Sequence, residues 1–158
     1  MLVVVHSGQT GVERGAHRAA NTAGLTIAGF MPLDGRDELG PIPPEIAACL
    51  TPCFDRGPRP AVKANVAIAS GVLVVVPDAE DPSKFTAVPA VLAAARAAKV
   101  PYRVVDPITN LEDVSRWVWQ LPESSGSLRL MVTGPRGTRW HTGEQTARRL
   151  VSAITIRP

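Results

Sequence analysis

The stretch Leu2–Ala23, "LVVVHSGQTGVERGAHRAANTA", changes its period part-way along. Four successive apolar residues suit a short strand buried on both faces, and the Ala-rich pattern after Gly11 suits a helix, so the stretch reads as the opening of a βα unit. Its turn then lies at the carboxyl end of the strand. There, in open α/β sheets, the following helix directs unpaired N–H groups and the positive end of its dipole outward. Gly8 and Gly11 allow the backbone to come close to a ligand, Ser7 and Thr10 add hydroxyls, and Arg14 adds a cation one helical turn later. Phosphate is the anion these groups suit. The spacing is GxxG, which matches neither the GxGxxG dinucleotide fingerprint nor the P-loop. A tight turn that binds nothing has the same glycines, so the turn alone leaves both readings open.

Working outward, strands are expected near Leu2–His6, Thr26–Phe30, Gly71–Val76, Tyr102–Val105 and Leu128–Val132. Helices are expected over Gly11–Ala23, Pro60–Ala69, Ala87–Ala98, Leu111–Gln120 and Gly143–Ile154. This alternation implies an α/β fold with a mainly parallel sheet of five or more strands, covered on both faces. Asn110 is placed to cap the fourth helix, and Thr142 with Gln145 has the capping-box pattern for the last. At 158 residues, without repeats or a linker, the chain is expected to form a single domain over residues 1–158.

Seventeen Lys and Arg against fourteen Asp and Glu leave a net charge of +3, enough to permit contact with phosphate without demanding nucleic acid. The longest apolar runs have the length of strands, and no basic segment precedes the first, so the expectation is a cytoplasmic protein that does not meet the membrane. Cys49 and Cys53 are too few for a disulfide framework or a complete structural zinc site. His6, His17 and His141 lack an obvious set of partners, so no protein-bound metal ion is expected.

Two more strand ends carry residues suited to an anion. After "GVLVVV" (Gly71–Val76), Pro77 opens a loop with Ser83, Lys84 and Thr86 near the next helix. After "LRLMV" (Leu128–Val132) come Gly134, Pro135, Arg136, Gly137, Thr138 and Arg139. Three such ends on one sheet edge favour a site for a phosphate-bearing ligand, expected between the first and third of the five strands. The long Pro- and Gly-rich excursion Pro32–Pro58 leaves from the same edge and reads as its wall or lid, with Asp34, Arg36, Asp37 and Glu38 as a solvated, charged tip.

The combination of "SGQTGVERGAHRAA", "GPIP", "VKANVAIASGVLVVV" and "VTGPRG" resembles the putative molybdenum carrier family. That family belongs to a Rossmann-like superfamily which also holds the LOG-type "lysine decarboxylase" proteins and DNA-processing protein A. The resemblance implies a Rossmann-like three-layer sandwich and a ligand-binding protein for a nucleotide or a phosphorylated pterin, with the molybdenum cofactor as a candidate. It assigns Ser7, Gly8, Gln9, Thr10, Gly11 and Arg14 to a first ligand turn. Asn65, Ser70 and Gly71 match an "N…SDG" stretch, and Gly134, Pro135 and Arg136 match a third motif. Where such proteins usually have a Gly-Gly-Thr turn, this chain has "PSKFTAV", keeping Thr86 but placing Lys84 and Phe85 where glycines would stand. Either the ligand differs or its phosphate is held less closely.

Two rival readings follow from the same resemblance. A LOG-like hydrolase would cleave a nucleoside monophosphate at its N-glycosidic bond and needs a carboxylate to assist water. The acidic residue of the LOG-type "PGGxGTxxE" has no counterpart here, leaving Glu13 or Asp78 as substitutes. A DNA-binding protein related to DNA-processing protein A would need a basic surface with aromatic stacking partners, and the small charge excess argues against nucleic acid. Trp117, Val118, Trp119 and Leu121 spread apolar groups around the fourth helix, from which a homo-oligomer is expected.

Overall fold

A computed structural model describes residues Met1–Pro158. In chain order the elements are β1 (Leu2–Val5), α1 (Val12–Thr22), β2 (Thr26–Ala28), β3 (Phe30–Met31), β4 (Arg36–Asp37), β5 (Gly40–Pro41), α2 (Pro44–Ala47), β6 (Thr51–Pro52), α3 (Pro58–Ile68), β7 (Gly71–Val75), a 3₁₀ turn (Pro82–Lys84), α4 (Val88–Ala98), β8 (Tyr102–Val105), α5 (Leu111–Trp119), β9 (Leu128–Thr133) and α6 (Gly143–Ile154). The five strands and five main helices expected from the sequence all form, with ends that differ by at most two residues.

The main sheet is five-stranded, in the order β2-β1-β9-β7-β8, with every pairing parallel. Val4 lies beside Leu130, and Leu73 beside Val132. Alternate residues of these strands face opposite layers. Leu2, Val4, Leu73, Val75 and Leu130 join the core under α1, α5 and α6, while Val3, Val5, Val72, Val74 and Met131 join the core under α3 and α4. Burial of both faces is why β1 and β7 read as unbroken apolar runs and why Arg129 alone interrupts the apolar residues of Leu128–Val132. The covering helices meet the sheet with apolar residues at helical spacing: Val88, Val91, Leu92 and Ala95 in α4, and Ala147, Leu150, Val151 and Ile154 in α6. Each such valine or leucine contributes about 1.5–3 kcal/mol by its burial. The result is a Rossmann-like α/β sandwich of three layers.

The last strand, β9, is central, inserted between β1 and β7. Counted from β9 as though it came first, the order becomes 3-2-1-4-5, the doubly wound arrangement with its switch point between β9 and β7. This corrects the expectation of a crevice between the first and third strands, which are not neighbours. Strand order depends on crossovers that local patterns do not record.

Asn110 caps α5 as expected, its Oδ1 accepting from the Asp113 N–H at 3.0 Å. Thr142 does not close a capping box. Its side chain makes no cap bond, and its carbonyl instead accepts from the N–H and hydroxyl of Thr146.

The excursion Pro32–Pro58 is tied down by two short pairings, β3 with β6 in parallel and β4 with β5 as a hairpin. Ile42, Ile46 and Leu50 form a separate small core beneath it. Ile42 and Leu50 lie directly over Gly8. The excursion is therefore a packed cover over the first turn.

Candidate functional site

The first turn is buried and internally bonded. Glu13, near the start of α1, accepts from the N–H and hydroxyl of Ser7 at 2.6 and 2.7 Å through one oxygen. Its other oxygen accepts from the Thr133 hydroxyl at 3.3 Å, tying β1 to the end of β9. Burial pushes the Glu13 carboxyl above its ordinary value, against the pull of these donors and of Arg136. Gly11, at φ 80°, precedes α1, and a Cβ there would come within 2.6 Å of the Gly137 nitrogen. Only glycine allows that approach between the β1 and β9 turns.

His6 supports the turn from below. Its Nδ1 accepts from the Gly8 N–H at 2.9 Å, so its Nε2 carries the proton and donates to Nδ1 of His17 at 3.1 Å. Burial lowers the His6 pKa to about 3, with the nearby His17 and Arg14 acting in the same direction. Burial also lowers that of His17. The two imidazoles form a neutral pair, without the carboxylates a metal site would add.

The lid completes the closure. Gln9 donates to the Arg36 carbonyl at 3.2 Å, and Arg14 pairs with Asp37. Thr10 Oγ1 accepts from the Gly137 N–H at 3.0 Å and donates to Glu38, whose other oxygen lies 3.9 Å from Nε of Arg136. The Asp37 side chain is 2% exposed and that of Arg14 14%. Asp37 and Glu38, expected as solvated charges, are instead turned inward onto residues assigned to the anion.

Beside this sealed turn, at the carboxyl ends of β7 and β9, a cleft of about 770 Å³ is open. The first turns of α3 and α4, the loop after β7 and the loop after β9 form its walls. Arg59, Lys84, Arg136 and Arg139 line it together with the single carboxylate Glu38. Arg59 and Arg139 form no ion pair, while Lys84 faces Asp78 at 3.4 Å and Phe85 at 5.3 Å from its ring centre. Two helix N-termini and four cations around one cavity make a local field for an anion, and Phe85 adds an aromatic surface. The volume lies within the range of small-molecule sites. Gly134 keeps β9 close to β7: a Cβ there would sit 2.1 Å from the Val75 carbonyl oxygen. Asp106, at the end of β8, accepts from the Ala79 N–H at 3.0 Å and holds the start of the β7 loop.

Of the residues named from sequence, Glu38, Ser83, Lys84, Thr86, Arg136, Thr138 and Arg139 line the cleft, with Pro77, Gly134 and Pro135 in the strand ends behind it. Ser7, Gly8, Gln9, Thr10, Gly11 and Arg14 lie in the sealed turn. Asn65 is wholly buried and clamps α3 to Phe30 through two hydrogen bonds of 2.7 and 3.0 Å. Ser70 precedes β7 and Gly71 begins it, at the opposite edge of the sheet, where Ser70 bonds to Arg129 and Leu121 packs on Gly71. A residue preceding a parallel strand lies at its amino end, so these two are not brought to the cleft. Arg59 was missed; its signal was a helix start, "GPRP", in a loop leaving the same sheet edge.

Neither Glu13 nor Asp78 lines the cleft. Trp117 and Trp119 pack partly buried against the core, and Trp119 Nε1 donates to the Ile154 carbonyl at 3.1 Å. The helix face from which self-association was expected is thus largely used within the chain.

A parallel, doubly wound sheet with a cation-lined crevice at its switch point defines a Rossmann-like α/β protein. The chain belongs to the circularly permutated YpsA SLOG family, which it matches over residues 4–155. The same fold occurs in a crystal structure from Syntrophus aciditrophicus SB described as "Putative molybdenum carrier protein". The TM-score is 0.81, with 19% identity, over 97% of this chain and 93% of that one. The likeness is one of fold. No curated protein matches the chain. No helix is long and apolar enough to cross a membrane.

Proposed function

We propose that the protein binds a phosphorylated small molecule, a nucleotide or the molybdenum cofactor, in the β7–β9 cleft, and holds it without chemical change. The observation that carries this reading is the convergence of Arg59, Lys84, Arg136 and Arg139 with the N-terminal turns of α3 and α4 around one cavity. Arginine forks and helix N-termini are the groups that recognise phosphate, and Phe85 offers a face for a flat heterocycle. The phosphate of a pterin cofactor and that of a nucleotide would meet the same cations. The name given to the Syntrophus protein, which speaks of carrying molybdenum, favours the molybdenum cofactor over a plain nucleotide.

A hydrolytic role finds less support, because Glu13 is enclosed between Ser7 and Thr133, and Asp78 is engaged with Lys84. The proposal includes a cytoplasmic location and a single domain over residues 1–158. Self-association remains part of the proposal and is checked by light scattering, where a monomer mass unchanged by salt would remove it.

The test is mass spectrometry of small molecules released from freshly purified protein, followed by incubation with AMP, GMP, CMP and UMP. The reading expects a phosphorylated heterocycle in the released fraction and no free base above the buffer rate. Release of base would replace the carrier with a hydrolase. A released ligand without phosphate would end the reading.

A further inference from the structure

Two adjacent lid carboxylates meet the anion-binding residues in different ways. Asp37 is fully engaged. It pairs with Arg14 and also accepts from the N–H groups of Leu39 and Gly40 at 2.7 and 3.0 Å, so it holds the β4–β5 hairpin in shape. Glu38 is only half satisfied. Its Oε1 accepts from Thr10, while its Oε2 is buried with no hydrogen-bond partner, 3.9 Å from Arg136. Glu38 is also the carboxylate that lines the cleft, and its side chain is 14% exposed. A buried carboxylate oxygen without a donor is costly, and such a group marks an arrangement built for another partner. Around it stand a threonine hydroxyl, an arginine and the Gly137 turn, a set suited to a phosphoryl oxygen.

We propose that Glu38 is an internal stand-in for the ligand's phosphate. It rests on Thr10 and beside Arg136 while the cleft is empty, and swings away when a phosphate takes these two partners, with Asp37 keeping the hairpin in place. This rests on the reading of the cleft as a phosphate site. It adds that the site is self-competing. Apparent affinity is lowered by the fraction of molecules in which Glu38 occupies the position, and a ligand lacking phosphate cannot displace it. Thr10 thereby regains a role in binding, as the residue through which the sealed turn reaches the cleft.

The experiment is calorimetric titration of inorganic pyrophosphate and of AMP into the parent, Glu38→Ala, Arg136→Ala and the double variant, with thermal melts to confirm that each is folded. The proposal expects Glu38→Ala to bind about tenfold more tightly than the parent. It expects that gain to shrink in the Arg136→Ala background, because the two groups compete for one partner. Equal or weaker binding by Glu38→Ala, with the parent binding normally, overturns the stand-in and leaves the phosphate site intact. An undiminished gain in the double variant also overturns it, since the effect would then be general repulsion. Failure of both parent and Glu38→Ala to bind either probe overturns the phosphate reading and the stand-in with it.

Discussion

The turn Ser7–Gly11 and the cleft between β7 and β9 lie side by side on one sheet edge, and they use similar residues in opposite ways. In the turn, glycines, hydroxyls and an arginine are joined to the protein itself: Ser7 to Glu13, Thr10 to Gly137 and Glu38, Arg14 to Asp37. In the cleft, Arg59 and Arg139 have no ionic partner, and Arg136 approaches Glu38 only at 3.9 Å. A pattern that looks made for a ligand can be consumed by the fold. The residues left over are the ones available to bind.

Substitutions in the turn should therefore act mainly on stability. Gly11→Val places a β-branched residue at positive φ with its Cβ against the backbone of Pro135 and Gly137, and should cost about 3 kcal/mol or more, read as a large fall in melting temperature. Arg14→Ala strands the Asp37 carboxylate, with an expected loss of about 3 kcal/mol in denaturant titration. A variant at Arg14 that melted like the parent but no longer bound nucleotide would break the contrast.

In the cleft the effects should fall on binding. Arg136→Ala removes a charge-assisted contact worth about 1.5–3 kcal/mol, or roughly ten- to a hundredfold in affinity, with little change in melting temperature. An unfolding penalty as large as that of Arg14→Ala would show that the β9 loop, too, is spent on structure.

Acid sharpens the same contrast, because His6 and Glu13, both deeply buried, belong to the turn. His6 has a folded pKa near 3 against 6.5 when exposed, so the unfolded chain takes up the extra proton in that window, and stability falls as pH drops from about 6.5 toward 3. The His6 contribution has a limiting slope of about 1.4 kcal/mol per pH unit. Glu13, raised above 4.5, works oppositely: the folded state holds its proton at higher pH than the unfolded one. Glu13→Gln deletes that offset, so its stability should fall more steeply on acidification than the parent's. Denaturation midpoints measured across the window give the two slopes, and parallel curves would count against the assignment.

The smallest effect is expected at the cleft's own strained residue. Ala87, just before α4, has φ 75°, and Ala87→Gly should stabilise the chain by about 1 kcal/mol. A loss of stability would show that the alanine methyl is needed for packing.

What could be read from the sequence divides along physical lines. Leu2–Val5 and Val72–Val76 are apolar without interruption because both faces are covered, Leu128–Val132 is broken only by Arg129, and that local pattern marked all three as strands. The insertion of β9 between β1 and β7 was not legible, since no residue within a strand names its neighbours. Lys84 and Arg136 were found from their position after a strand. The inward turn of Asp37 and Glu38 was not, because Arg14 and Thr10 meet them only when residues more than twenty positions away fold over the first turn. Pairings as short as Phe30–Met31 with Thr51–Pro52 likewise depend on the partner segment more than on their own pattern.

The central claim is that the ligand enters the β7–β9 cleft and not the sealed turn. An amide chemical-shift titration of the isotopically labelled protein with AMP, GMP, CMP and UMP tests it most directly. Saturable shifts should cluster at Arg59–Val62, Ser83–Ala90 and Arg136–Arg139, with Thr10 and Glu38 responding at the boundary and Ser70 and Gly71 silent. Shifts confined to Ser7–Gly8 and the start of β7, or no saturable shift with any of the four, would contradict it.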